Sequence, residues 1–346
     1  MSGGAILAVN AGSSSLKLGL FDARAEEQLA AWEVTWAAGD EARDALRPVL
    51  AKIDVGTIGA VGHRVVHGGT RVAATVIDTT AREEIAALAA LAPLHNPPAL
   101  QIVAAVGELL PGVPQVAVFD TAFHATLAPE AYLYAVPYDW YERWGVRRFG
   151  FHGLSHAYCA GRAAELLKRP LAELRLVTCH LGSGCSLTAI AGGTSRATTM
   201  GYTPLDGLVM ATRPGAVDPG VLITLLRDER VSLAELEDAL YHRSGLLGIS
   251  GISGHMRDVL AARAGGLARA ALAFDSHGTQ PERCRSFAHR ECRVLRVAEH
   301  GTVEDPSQPD AHFRLRRHQR EQRDVRAGNA DDQSSASCRP SDRHDV

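Results

Sequence analysis

Residues 5–22 read AILAVNAGSSSLKLGLFD. An apolar run breaks for Asn10-Ala11-Gly12-Ser13-Ser14-Ser15 and resumes as the alternating LKLGLFD. One buried strand does not do this; two strands joined by a tight polar turn do. Gly12 is able to adopt φ > 0, and the small hydroxyl residues Ser13 to Ser15 let backbone N–H groups and hydroxyls face an anion. A phosphate-binding hairpin is one reading and an ordinary Ser/Gly turn is the other. The GxxxxGK[ST] pattern of a P-loop is absent, and the turn leads into a strand rather than a helix.

A second stretch repeats the logic. In TCHLGSGCSLTAI (178–190) an apolar run breaks at His180, Gly182, Ser183, Gly184 and Ser186: strand, glycine-hydroxyl turn, strand. Around these hairpins, the β-type runs AILAV, IGAVGHRVV, QVAVF, RLVTCHL and CSLTAIA alternate with helical patterns such as TAREEIAALAALAPL, NPPALQIVAAVGELL, SHAYCAGRAAELLK and SLAELEDALY. That alternation is an α/β signature. Asp78, Thr79 and Thr80 ahead of Glu83 and Glu84, and Pro97-Pro98, mark helix starts. With 346 residues and 46% apolar content, two domains are expected.

A net charge of −3 gives no reason to expect nucleic acid or an anionic membrane as partner. No apolar stretch is long enough to span a bilayer, and the N-terminus lacks a basic leader, which points to the cytoplasm. The six cysteines show no CxxC spacing, so reduced thiols are expected.

Charged residues cluster with small ones. Arg64 lies in VGHRVVHGGT and Arg213 in VMATRPGAVDPG, where a guanidinium can fork onto a carboxylate or phosphate, or simply form a surface ion pair. Asp120 closes the run VAVFD, at the strand end where parallel sheets hold ligands, and suits Mg²⁺ or a buried hydrogen bond. His152 and His156 flank a glycine turn in RRFGFHGLSH.

Taken together, VNAGSSSLK, HRVVHGG, PLHNPP, FDTAFH, RFGFHGLSH, CHLGSGCS, TTMGYTPLDGLVMATRPGAVDPGV and GISGISGHMRD, in this order across residues 5 to about 275, closely resemble the acetate kinase family of the acetate and sugar kinase, Hsc70 and actin superfamily. The resemblance implies two duplicated actin-like (ribonuclease H-like) α/β domains with a nucleotide cleft between them: 1–149 on the acyl and phosphate side, and 150–275 as an incomplete second domain. It implies reversible transfer of the ATP γ-phosphoryl group to acetate, giving acetyl phosphate and ADP, with Mg²⁺ or Mn²⁺ required and a homodimer where the fold is complete. Propionate or another short-chain acid is the alternative acceptor, and an inactive frameshifted product is the alternative state.

Carried over residue by residue, Asn10 and Asp120 would serve the metal, Lys17, His180, Leu181, Gly182, Ser183 and Gly184 the nucleotide phosphates, and Arg64 the acetate carboxylate. Asp120, His152 and Arg213 would be the catalytic residues. Asp120 is assigned to the metal and its water because acetate is ionised at pH 7 and needs no base, although the family residue is often described as an acid or base. His255 in GHMRD stands where the family usually has Asp, so only Arg257 carries over toward the nucleoside.

Past Asp275 the composition changes: residues 276–346 are rich in Arg, His and Gln, hold no Lys and show no sustained apolar period. A disordered tail of mixed charge is one reading. Out-of-frame translation of a GC-rich gene is the other, and the glycine-rich FTGGIGENS-like loop and acidic C-terminal motif of the family do not occur. Leu315 to Gln322, LRRHQREQ, can be encoded so that a one-base shift reads Ser-Gly-Gly-Ile-Ser-Glu-Asn-Ser. The nucleotide sequence from the Ala270 codon to the stop is therefore expected to contain such a loop, followed by an acidic motif, in a shifted frame. Three frames without either would refute this.

Overall fold

The polar break in the opening stretch is the turn of a hairpin. In the computed structural model, which describes residues 4–12, 15–24, 27–36, 40–283 and 293–297, β1 (Ala5–Ala11) is followed by antiparallel β2 (Ser15–Asp22). Register sets Asn10 opposite Lys17 and Ala11 opposite Leu16, and the Gly12 N–H donates to the Ser15 carbonyl at 2.8 Å. Ser13 and Ser14 lie outside the described residues. Leu7, Val9 and Ala11 are buried on alternate positions of β1, as the period of a strand requires.

β3 (Gln28–Thr35) continues the meander antiparallel to β2. After α1 (Ala42–Leu50) the chain returns as β4 (Ile58–Val65), parallel to β1. The short β5 (Thr75–Val76), α2 (Thr79–Ala87) and α3 (Asn96–Leu109) then lead to β6 (Gln115–Phe119), parallel to β4. The sheet order is β3-β2-β1-β4-β6-β5. Parallel neighbours need a crossover, and α1 and α3 supply them, burying Leu46, Val49, Ile102 and Val106 against Leu7, Leu16 and Trp36. The helix starts fall where expected: the Asp78 carboxylate accepts from the Ala81 N–H at 2.8 Å, and Pro97-Pro98 open α3.

Beyond α4 (Pro129–Tyr132), α5 (Tyr138–Trp144) and α6 (Gly153–Leu167), the second hairpin is β7 (Arg175–Leu181) with β8 (Cys185–Ala191), followed by β9 (Thr194–Thr198). A helical layer of α7 (Pro219–Arg227), α8 (Leu233–His242), α9 (Gly245–Ser250), α10 (Met256–Ala264) and α11 (Ala268–Arg283) follows, the last three packing around Val209, Leu246, Val259, Ala270 and Ala273. With β10 (Arg293–Val297) parallel to β7, the second sheet has the order β10-β7-β8-β9. The first sheet draws its strands from residues before 150 and the second from residues after it.

Two features differ from the sequence reading. The change of composition at Ser276 is not a break in secondary structure, because α11 runs across it to Arg283 and β10 pairs with β7 beyond it. The rest of the segment after 283 lies outside the described residues. β3 and β9 also join the sheets without being flagged as strands. Their sequences, QLAAWEVT and TSRAT, mix polar and apolar residues because both strands lie at sheet edges.

Asn96 ties this scaffold together beside the site. It is fully buried; its Oδ1 accepts from the His67 N–H at 3.0 Å, and its Nδ2 donates to the carbonyls of His67 and Ile85 at 3.0 and 3.2 Å. Asn96→Ala orphans three buried backbone groups, each costing about 1–3 kcal/mol. We expect the variant to lose roughly 3 kcal/mol or more of stability by urea denaturation; a loss under about 1 kcal/mol would contradict this.

Candidate active site

Asn10, Arg64 and Asp120 stand at the C-terminal ends of three adjacent parallel strands, the edge at which open α/β sheets hold ligands. Asp120, fully buried, follows β6 with its N–H donating to the Val65 carbonyl at 3.0 Å. Arg64 Nε donates to both carboxylate oxygens at 3.1 and 3.2 Å, Nη2 donates to Oδ2 at 2.6 Å, and Nη1 donates to Asn10 Oδ1 at 3.1 Å. Burial works against the charge of Arg64, but the Asp120 carboxylate outweighs it and holds the guanidinium pKa above its ordinary value. Three of the five guanidinium N–H groups are engaged this way and two remain for a ligand.

The opposite wall is fastened to the same aspartate. Gly153, the first residue of α6, donates its N–H to the Asp120 carbonyl at 2.8 Å, and a Cβ there would sit 2.2 Å from that oxygen. Just ahead, His152 takes a left-handed backbone at φ 58°, a conformation that non-glycine residues adopt at a cost when a site needs it. Its ring stacks on His180 with centroids 4.0 Å apart.

Gly184 explains its own identity. A Cβ would lie 2.6 Å from Arg213 Nη2 and 3.1 Å from His152 Nε2, so the bare backbone is what lets the guanidinium and imidazole converge. Arg213 is 9% exposed and donates through Nη1 to the Pro204 carbonyl at 2.8 Å. Among the described residues no carboxylate comes within ion-pair distance of it. Burial, opposed by Cys185 and Tyr241, pushes its pKa down to about 10, which still leaves it charged at neutral pH.

A cleft of about 700 Å³ is lined by Asn10, Lys17, Arg64, Asp120, His152 and His180, together with Trp32, Glu33 and Tyr158. Lys17 Nζ lies 3.6 Å from Glu33 across the β2–β3 pair. Leu181, at the end of β7, leads into the turn Gly182-Ser183-Gly184, closed by a Gly182 N–H to Gly184 carbonyl bond and by the Ala211 N–H on the Ser183 carbonyl. This turn, Leu181 and Arg213 are not among the residues lining the cleft, and neither is Arg257, which stands exposed on the first turn of α10.

His95 was not among the sequence candidates, yet it belongs here. Burial and the nearby charges of Arg213 and Arg64, partly offset by Asp120, push its pKa down to about 3. It sits within the PLHNPP stretch, and only its place just before a proline-started helix could have drawn attention to it.

The oxygens of Asp120 and Asn10 are the metal-compatible donors on this wall. Among the described residues no group of three His, Cys, Asp or Glu side chains is placed to hold a metal ion. Such a sparse, all-oxygen pair fits Mg²⁺, which takes one or two protein ligands and completes its shell with water and substrate phosphates. It does not fit a metal held in an all-protein cage.

The chain as a whole is similar to known proteins. A sequence profile of the acetokinase family matches residues 43–287. The acetate kinase of Synechococcus sp. (strain JA-2-3B'a(2-13)) is 57% identical over 219 residues, covering 63% of this chain and 54% of the relative. The crystal structure of Porphyromonas gingivalis acetate kinase superposes with TM-score 0.72 at 34% identity, covering 82% of this chain and 79% of that one. A propionate kinase from Francisella tularensis subsp. tularensis SCHU S4 superposes with TM-score 0.75 at 34% identity, with the same coverage. The chain belongs to the acetokinase family. It spans about half the length of several curated acetate kinases that it matches. No described helix is long and apolar enough to cross a membrane.

Around this acetokinase site the histidines are held neutral. Burial pushes His63, His67, His124 and His180 down to about 4, and His152 and His156 well below the ordinary value. Between pH 6.5 and about 4 the unfolded chain binds protons that the folded one refuses, so stability rises with pH there. It is present in full above 6.5 and is lost as pH falls through the window. Unfolding free energies from urea titrations should fall below pH 6.5 by at least about 1.4 kcal/mol per pH unit, one proton's worth; a flat profile would show imidazoles open to solvent.

Proposed function

We propose that the chain is an acetate kinase, transferring the γ-phosphoryl group of ATP to acetate to give acetyl phosphate and ADP. The observation that carries this is Arg213: a buried guanidinium with no carboxylate partner among the described residues, beside His152 and a glycine that leaves it room. Arg64 and Arg213 both depress His152 and His180, which places two guanidinia around the same pair of rings. A cleft built so suits two anions that must be brought together.

Acetate is ionised at neutral pH and attacks without a general base. Arg64 holds its carboxylate through the two N–H groups left over, while Asp120 and Asn10 fix the plane of the guanidinium. Holding the nucleophile in line lowers the entropy cost of reaction. Arg213 and His152 donate to the equatorial oxygens of the transferring group, where charge spreads in the transition state. Lys17 and the turn from Leu181 to Gly184, with His180, take the nucleotide phosphates, and Arg257 the nucleoside. Mg²⁺, held by Asp120 and Asn10, supplies neutralisation of phosphate charge when bound. The same reading places the protein in the cytoplasm as a homodimer, with domains at 1–149 and 150–275.

A second reading, propionate as acceptor, is favoured by the likeness to the Francisella propionate kinase. One methylene in an apolar pocket is worth about 1–3 kcal/mol, so the two acids differ by rate and not by kind.

Hydroxamate trapping of acyl phosphate, with ATP and either acid, tests both. Turnover with acetate at least equal to that with propionate is expected; the reverse order installs the second reading, and no turnover with either leaves a chain that only binds anions. In an active form, Arg64→Ala and Arg213→Ala should each lower kcat/KM about 100-fold to 1000-fold, the cost of losing a preorganised donor. Raised Mg²⁺ should partly restore Asp120→Asn and leave Arg64→Ala unchanged. An Asn variant inactive at every Mg²⁺ concentration, with an altered pH profile, would make Asp120 an acid or base instead.

A further inference from the structure

Behind His152 lies a chain of buried side chains that the phosphoryl-transfer reading does not use. His152 Nδ1 is 2.8 Å from Ser186 Oγ, the same hydroxyl is 2.8 Å from His156 Nε2, and His156 Nδ1 is 2.7 Å from Thr178 Oγ1. Ser186, His156 and Thr178 have no exposed surface, and His152 has 9%. The hydroxyls come from neighbouring strands β7 and β8, and the imidazoles from one turn of the helix start at α6.

Hydrogen counting gives the chain a direction. Among the described residues the Thr178 hydroxyl has one hydrogen-bond partner, His156 Nδ1, so its proton goes there. His156 therefore carries its own proton on Nε2 and donates it to Ser186 Oγ. The Ser186 hydroxyl, already accepting, turns its proton to His152 Nδ1. His152 is left with its proton on Nε2, the atom that converges with Arg213 Nη2 at Gly184. Run the other way, the chain would strand the Thr178 O–H without an acceptor in a dry interior, which buried hydroxyls avoid.

A neighbouring ring gives independent support. His124 Nε2 lies 3.0 Å from the Phe151 carbonyl, which only accepts, so His124 carries its proton on Nε2 and takes the Ser195 hydroxyl on Nδ1 at 2.9 Å. His180 likewise has a hydroxyl, Ser155 Oγ, 3.0 Å from Nδ1. All four rings thus meet a serine or threonine at Nδ1.

We propose that Ser186, directly, and Thr178, through His156 and Ser186, are positioning residues that lock His152 in the Nε2–H tautomer, so that it offers a donor and not a lone pair to the transferring phosphoryl group. The proposal rests on the kinase reading for its purpose, but the tautomer itself is read without turnover. The polarity also suits the site: an Nε2–H beside the Arg213 guanidinium adds a second donor at that point, matched to an anion.

The test is long-range ¹H–¹⁵N correlation on the full chain labelled with ¹⁵N-histidine, with the His152 ring signals assigned by their loss in His152→Gln. Expected is a single Nε2–H form in the parent, a substantial rise of the Nδ1–H form in Thr178→Val and Ser186→Ala, and the parent pattern in Thr178→Ser. In a form that turns over, Thr178→Val should lower kcat several-fold while KM for acetate stays within twofold. A parent His152 protonated on Nδ1, or a tautomer unchanged in the Val variant, overturns the lock. Thr178→Val is nearly isosteric and carries the comparison if Ser186→Ala fails to fold, and should neither fold the parent spectrum decides alone. An Nε2–H parent with no hydroxamate formed would instead count against the kinase reading and leave the lock in place.

Discussion

The Arg64–Asp120 pair, with Asn10 on its flank, is the interaction on which the rest of the site depends. A fully buried carboxylate is tolerable only when its charge is met, and Arg64 meets it side-on with Nε and Nη2. Because the two residues end neighbouring strands β4 and β6, the pair also fixes the relative height of those strands at the ligand edge. Asp120 works with its backbone as well: its carbonyl takes the Gly153 N–H and so positions the strained turn carrying His152. One residue thus orients the guanidinium on one wall and the imidazole on the other.

Glycines follow from the same closeness. Gly153 is held against a carbonyl and Gly184 against a guanidinium and an imidazole, and in each case a side chain would occupy space that a functional atom needs. These are constraints of approach. Neither residue has a positive φ, so backbone freedom is not the reason for glycine there.

How much of this was legible beforehand follows from sequence distance. The hairpins at 5–22 and 175–191 could be read because strand, turn and strand are contiguous, and Asp120 because it closes an apolar run. Arg64 could be named but its partner could not, since 56 positions separate it from Asp120 and nothing local links them. The role of the hydroxyl layer under the histidines was hidden for a related reason. Thr178 looks like an ordinary strand residue and Ser186 like part of a polar turn, and their meaning depends on a helix start packed across them. His95 was hidden by its neighbours: Asn96 and the two prolines account for the PLHNPP stretch as a helix start, and the proximity to Arg64 and Arg213 is tertiary.

The division of labour between arginine and histidine around the cleft has its own logic. Two guanidinia already supply positive charge, and further charge on His95, His152 or His180 would have to be formed in a poorly solvated space beside them. Burial and those arginines therefore keep the imidazoles neutral. A neutral imidazole still directs a hydrogen bond, provided its tautomer is fixed, and here fixing falls to serine and threonine hydroxyls, which do not titrate in the same range. The consequence is a cleft whose charge is carried by groups that stay ionised and whose directionality is carried by groups that stay neutral. Between the histidine and arginine pKa values its character is then independent of pH, which suits the binding of anions whose own charge does not change over that range.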